Sequence, residues 1–228
     1  MTPKQLIFEL PSRPALGRGD FFVSQSNSIA LSLLEDWHNW PERKHTLSGP
    51  QGSGKTHLAH VWSTMSGARI IRATEITRYE NSQLLDTNLI IEDTPDISGN
   101  LAAQEQLFHL HNLFAAEQRF LLFTGRPAPK NWNIDLPDLA SRLEGARNAE
   151  LKDPDDQLFS ALLAKLFADL QLFPAPEVIQ FLVARLERSF AAAQAFVKVL
   201  DATALREQRA ITRRLAREVL NSKKSSKY

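Results

Sequence analysis

Eight consecutive residues carry the clearest chemistry in the chain. Gly49, Pro50, Gln51, Gly52, Ser53, Gly54, Lys55 and Thr56 read GPQGSGKT, a full match to G-x-x-x-x-G-K-[S/T]. Glycines at this spacing let the backbone turn back so that several N–H groups converge on phosphate oxygens, and the helix that follows adds the positive end of its dipole. Lys55 then reaches the β- and γ-phosphates of a nucleotide, the Thr56 hydroxyl ligates Mg²⁺, and His57 continues the same turn. Glu92 and Asp93 close the apolar run NLIIE. Two carboxylates at the end of a buried strand near a phosphate loop can hold Mg²⁺ through its water shell and orient an attacking water. Thr124, at the end of RFLLFT, is placed to contact the γ-phosphate or that water.

These groups need a scaffold, and the patterning supplies one. Residues 45–48 (HTLS) read as a strand into the loop and 55–65 as the helix out of it. A helix over 26–37 precedes them, and strands are expected over 68–72, 88–92 and 119–124, with a helix over 100–118. Continuous apolar character marks strands buried on both faces of a parallel sheet. From Asp153 the pattern is helical only, with apolar stripes through Leu158 and Leu162, Phe181 and Leu182, Phe196 and Leu200, and Leu215 and Val219. The expectation is an N-terminal segment over 1–18, an α/β domain over 19–150 and a small all-α helical domain over 151–228.

Composition narrows the function classes. With 228 residues and 43% apolar content there is enough chain for one sizeable core and a smaller one. The absence of cysteine excludes disulfides and thiolate metal sites. No run is long enough to span a bilayer and no signal-peptide pattern opens the chain, so the expected location is cytoplasmic. The net charge of +1 hides an asymmetry: residues 205–228 carry eight Lys or Arg against two Glu. A basic end can touch nucleic acid, or it can be a solvated helix face. His57 with His60, and His109 with His111, lack a third metal ligand.

The combination of FFVSQSNSIAL, GPQGSGKTHLAH, NLIIED, LLFTGRP and LPDLASRL, followed by helices, resembles the AAA+ core and lid of the DnaA replication-initiator family over nearly the whole chain. The resemblance implies an AAA+ P-loop NTPase fold with a five-stranded parallel sheet, a helical lid, and ADP or ATP with Mg²⁺ between them. It leans toward the Hda type, the short regulatory homologues, since no helix-turn-helix domain follows in this sequence. Gln5, Leu6, Phe8 and Leu10 in QLIFEL resemble the clamp-binding peptide of that type. Leu6, Phe8 and Leu10 would enter an apolar cleft while the Gln5 amide bonds at its rim. Arg142 in LPDLASRL matches the family's arginine finger, which acts in a neighbouring subunit's site. The partners implied are the DNA sliding clamp (the β subunit of DNA polymerase III) and DnaA. No membrane partner, weak or absent direct DNA contact, and a possible AAA+ homo-oligomer complete the expectation.

Two departures bear on intrinsic hydrolysis. Glu92 stands where the family usually has Asp, and Ala191 where the lid usually has Arg, with Arg188 one turn earlier a poor substitute. At most weak intrinsic ATPase is expected, with ADP as the preferred ligand. Two other readings stay open: an ATPase of the helicase-loader type, and a DNA-binding initiator-like protein using Arg213, Arg214 and Arg217.

Overall fold

Apolar runs with no polar alternation leave a strand nowhere to go but between two layers of helix. In the computed structural model, which describes residues 22–225, β1 (Lys44–Ser48) and β4 (Leu121–Gly125) are buried along their whole length. In β3 (Leu89–Glu92) only the terminal Glu92 is partly exposed. With β2 (Arg69–Arg72) and β5 (Arg147–Glu150) they form a five-stranded sheet of order β2-β3-β4-β1-β5. Every pairing is parallel. Parallel neighbours need crossovers. These are α2 (Lys55–Ser66) after β1, α3 (Leu101–Ala116) after β3 and α4 (Pro137–Glu144) after β4, while α1 (Ser28–Glu35) precedes the sheet. The parallel arrangement brings the C-terminal ends of all strands to one edge, where the phosphate loop leaves β1.

Leu107, Phe114, Phe123, Trp132 and Leu139 fill one side of the sheet. Leu34, Leu47, Leu58, Trp62 and Leu122 fill the other, where Trp40 stacks on Trp62 at 4.9 Å between ring centroids. Each such side chain contributes roughly 1.5–3 kcal/mol on full burial. A separate core is built from α5 (Asp156–Asp169), α6 (Pro176–Val183), α7 (Phe190–Glu207) and α8 (Arg213–Ser225), centred on Phe159, Phe167, Phe196 and Leu215. Side-chain caps start these helices where the sequence offers them. Asp155 accepts from the Leu158 N–H at 2.8 Å and Ser189 from the Ala192 N–H at 3.1 Å.

The expected helix over 26–37 is shorter, because Ser24 and Asn27 build a turn ahead of it. The Ser24 N–H donates to Asn27 Oδ1 at 2.9 Å, and Asn27 Nδ2 donates to the Phe22 carbonyl at 2.9 Å. β5 carries no apolar pattern. Its sequence is RNAE, with only Ala149 buried, since it lies at the sheet edge and pairs with β1 alone. Among the described residues no helix is long and apolar enough to cross a membrane.

Candidate nucleotide-binding site

The loop between β1 and α2 is shaped by backbone that side chains would obstruct. Gly52 and Gly54 hold φ of 75° and 101°, the left-handed region that favours glycine. A Cβ on Gly49 would lie 2.7 Å from the Leu151 carbonyl oxygen, and one on Gly52 would lie 2.6 Å from Ser189 Cβ. α2 opens behind Gly54 with no side-chain cap on its first N–H groups, so those donors face whatever occupies the loop. Pro50 and Gln51 are exposed at the tip, Thr56 is exposed and His57 half-buried in the first turn of α2.

Lys55 lies almost wholly inside this turn. Its Nζ donates to the carbonyls of Gly49 and Pro50, both at 2.7 Å. Burial, and then the Arg126 guanidinium, push the ammonium down from 10.5 to about 8, while Asp93 and Glu92 pull the other way. Both carboxylates therefore act on the loop lysine. They do so from different backbone: Glu92 ends β3, whereas Asp93 has a φ of 53° and starts a short 3₁₀ turn. Thr124 adds something the sequence reading missed. Its Oγ1, 2% exposed for the residue, accepts the Asp93 N–H at 3.2 Å, so Thr124 holds the Asp93 backbone in that left-handed turn in addition to any contact with a ligand.

Two polar atoms at the site, Ser53 Oγ and Glu92 Oε1, are buried without a hydrogen-bond partner. A buried polar atom so placed costs roughly 1–3 kcal/mol unless something pairs with it. A phosphate for the hydroxyl, and a hydrated cation for the carboxylate, are the chemistries these two atoms fit. Among the described residues no three His, Cys, Asp or Glu side chains cluster as a metal site, so a cation here would share its ligands with phosphate oxygens.

Arg126 was not singled out from the sequence. It follows β4, donates to Gln51 Oε1 at 3.0 Å and leans over the loop closely enough to act on Lys55. Its position two residues beyond the strand-terminal Thr124, at the edge where the loop lies, is the signal that could have found it. The start of α7 was missed too. The Phe190 N–H donates to the Gly52 carbonyl at 3.2 Å, seating the helical unit directly on the loop. Arg188 forms an ion pair with Asp156 at the start of α5, and Ala191 is exposed in the first turn of α7.

Arg142 is elsewhere. It is exposed in the last turn of α4, with its guanidinium 5.3 Å from the centroid of Phe108. Its charge acts on His111 and Glu42, which surround Lys44 at the opposite end of β1. Gln5, Leu6, Phe8 and Leu10 lie outside the described residues.

No family model matches the chain. In sequence it is 28% identical to the chromosomal replication initiator protein DnaA 2 of Chlamydia caviae over an alignment of 156 residues, with 58% of this chain and 34% of that relative covered. The chain thus spans about a third of the length of this curated relative. Among solved structures, domain III of the Thermotoga maritima replication initiation protein DnaA superposes with a TM-score of 0.80 at 17% identity, over 93% of this chain and 98% of that one. A replication initiator DnaA bound to AMPPCP and single-stranded DNA gives 0.72 at 17% identity, over 86% and 69%. The chain thus shares the fold of DnaA domain III, carries a complete phosphate-loop sequence between β1 and α2, and is similar in sequence to a DnaA initiator.

Proposed function

We propose that the chain is an Hda-type regulator of replication initiation. In this reading it carries an adenine nucleotide, preferably ADP, is tethered to the DNA sliding clamp through Gln5, Leu6, Phe8 and Leu10, and presents Arg142 to ATP held by DnaA. The observation that carries the reading is the placement of Arg142. It stands at the end of β1 remote from the chain's own phosphate loop, separated from it by a strand of about 13 Å at ~3.3 Å per residue. An exposed guanidinium so placed cannot serve the chain's own site, and a neighbouring subunit's site is where it can act. Phe108 beneath it fixes the guanidinium plane, worth about 0.5–1 kcal/mol at such an exposed position.

At the chain's own site, Gly49, Gly52, Gly54 and the first N–H groups of α2 would cradle the phosphates, with Lys55 and Arg126 as cations. Thr56, Glu92 and Asp93 would hold hydrated Mg²⁺. A bound nucleotide supplies the negative charge that these groups are arranged to meet. Lys55 would exchange the Gly49 and Pro50 carbonyls for phosphate oxygens. The AMPPCP in the related initiator supports the adenine preference. Weak intrinsic turnover fits Glu92 and Ala191, and with Arg188 held by Asp156 the first turn of α7 offers no cation to a γ-phosphate. A cytoplasmic location belongs to the same reading.

The test is single-turnover hydrolysis of labelled ATP on DnaA in the presence of clamp loaded on DNA. The unaltered chain should stimulate it. Arg142→Ala should remain folded and nucleotide-bound yet lose the stimulation, since fingers of this kind are worth roughly 10³–10⁵ in rate, or about 4–7 kcal/mol of barrier. Full stimulation by the variant would assign the regulation to another group. Steady ATP turnover by the isolated chain would favour the helicase-loader reading.

A further inference from the structure

The last helix carries its arginines on two faces with different fates. On one, Arg214 donates to Glu218 at 3.0 Å and Arg209 bridges Glu218 and Glu207, both at 2.8 Å. On the other, Arg213 and Arg217 turn toward α6, where Arg185 joins them. Their guanidinium carbons lie 5.4, 6.0 and 4.2 Å from the centroid of one ring, Phe181. All three side chains are exposed, and among the described residues none of the three makes an ion pair with a carboxylate. Phe181, Ala184, Arg185, Arg217, Leu220 and Asn221 line a cleft of about 450 Å³ at this place.

Three like charges gathered on one ring repel, and Arg213 and Arg217 stand one helical turn apart, where like charges are destabilising. The face of Phe181 returns part of that cost through cation–π attraction. It cannot neutralise the cluster, which an anion spanning the cleft would do. The cations here are planar forks that bind phosphate oxygens bidentately. Apolar anchorage for a peptide is scarce, since Phe181 is 5% exposed beneath the arginines and Leu220 is only partly buried. The chain continues through Lys223, Lys224 and Lys227 with no further acid after Glu218.

We infer that the α6–α8 cleft is a nucleic-acid backbone site, in which Arg185, Arg213 and Arg217 engage phosphodiesters without reading bases. It lies on the helical unit, separate from the phosphate loop, and is independent of the reading of Arg142. Three phosphate contacts define a weak, salt-sensitive association: the affinity should fall with log salt at a slope of about −2 on single strands and about −3 on duplex.

The experiment is fluorescence anisotropy of a short labelled oligonucleotide, single-stranded and duplex, titrated with the full chain from about 50 mM salt upward. Arg185→Gln, Arg213→Gln and Arg217→Gln combined should weaken binding roughly tenfold or more and flatten the salt slope. Arg206→Gln, Arg209→Gln and Arg214→Gln combined make the same change in net charge on arginines that are already paired, and should shift affinity by no more than about twofold. Should the first variant melt early, Arg213→Gln with Arg217→Gln carries the same comparison. Equal loss in both sets would reduce the effect to bulk charge and overturn the site. So would absence of binding at low salt. Displacement by polyglutamate as effective as by unlabelled oligonucleotide would assign the cleft to an acidic peptide instead.

Discussion

Lys55 is a cation that the fold strains to keep. Burial and the Arg126 charge bring its ammonium down from 10.5 to about 8, and each unit of such a shift corresponds to about 1.4 kcal/mol. At neutral pH the lysine is charged in both folded and unfolded chains, so the folded chain bears roughly 3 kcal/mol of unfavourable desolvation that phosphates would relieve. Lys55→Met keeps the aliphatic stem and deletes the charge. It also deletes the two 2.7 Å bonds to Gly49 and Pro50, each worth about 1 kcal/mol net. The balance is about 1–2 kcal/mol in favour of the variant without nucleotide, a rise in Tm of roughly 2–8 °C for a chain of this size. Adding ADP should reverse the order. At a hundredfold excess over Kd a ligand stabilises its host by about 2.7 kcal/mol, a gain the unaltered chain shows and the variant lacks. The pH dependence carries the sign. The folded pKa lies below the unfolded one, so the unfolded chain binds more protons between pH 8 and 10.5, and the parent should gain stability relative to the variant across that window. Differential scanning calorimetry with and without ADP at pH 7 and 9.5 measures all of this. A variant that melts below the parent without ADP and still gains from ADP would refute the assignment of Lys55 as a strained phosphate ligand.

Three further outcomes are expected. Gly52→Ala places a Cβ in left-handed backbone, 2.6 Å from Ser189 Cβ and 3.0 Å from the Phe190 nitrogen; it should lower Tm and weaken ADP in calorimetry by roughly tenfold, and unchanged affinity would show that the α7 contact is idle. His111 is held at about 4 by burial, Lys44 and Arg142, against Glu42. Its folded pKa is below the unfolded value of 6.5, so its contribution is present above pH 6.5 and is lost as pH falls toward 4; urea unfolding at pH 7 and 5 should show the parent losing about 2 kcal/mol more than His111→Gln. If residues 5–10 bind the clamp as proposed, replacing Gln5 and Leu6 by Ala should abolish capture by the purified sliding clamp and leave Tm within about a degree; unfolding of the variant would overturn that reading.

What was legible in the sequence follows from where each residue is buried. β3 and β4 stand out because both their faces are covered and LIIE and LLFTG are almost wholly apolar or small, whereas β1, KHTLS, is buried to the same degree with Lys44 and His45 in it and is legible only from the phosphate loop that follows. β5 has a neighbour on one side only and one buried residue, Ala149, so nothing in RNAE marks it as a strand. The phosphate loop is legible because its constraint is local: glycine conformations and a lysine five and six residues from the carbonyls it reaches. The seating of α7 is not, since Gly52 and Phe190 are far apart in sequence and their bond is backbone to backbone. Arg126 escaped for a similar reason, its meaning set by the strand order that brings the end of β4 beside β1. Thr124 was selected as a ligand-facing hydroxyl, and its bond to the Asp93 N–H appears only in three dimensions.

The same contacts explain why the helical unit suits a nucleotide holder better than a motor. In a hydrolysing switch, a lid cation that touches the γ-phosphate couples the lid's position to the presence of that phosphate. Here the unit meets the loop through the Gly52 carbonyl and the Ser189 Cβ, groups that do not change with phosphate number. The nearest arginine in α7's approach, Arg188, is turned to Asp156 on α5, within the helical unit itself. Differential contact with two ligand states is what moves an equilibrium, and this interface offers little of it. Conformational response would then have to come from the loop, where Lys55 exchanges carbonyl partners for phosphates, and its range is limited by the glycines that already fix the turn. In the proposed reading, a chain built this way would hold its nucleotide as a structural element and would keep Arg142, remote from the loop, in a constant position.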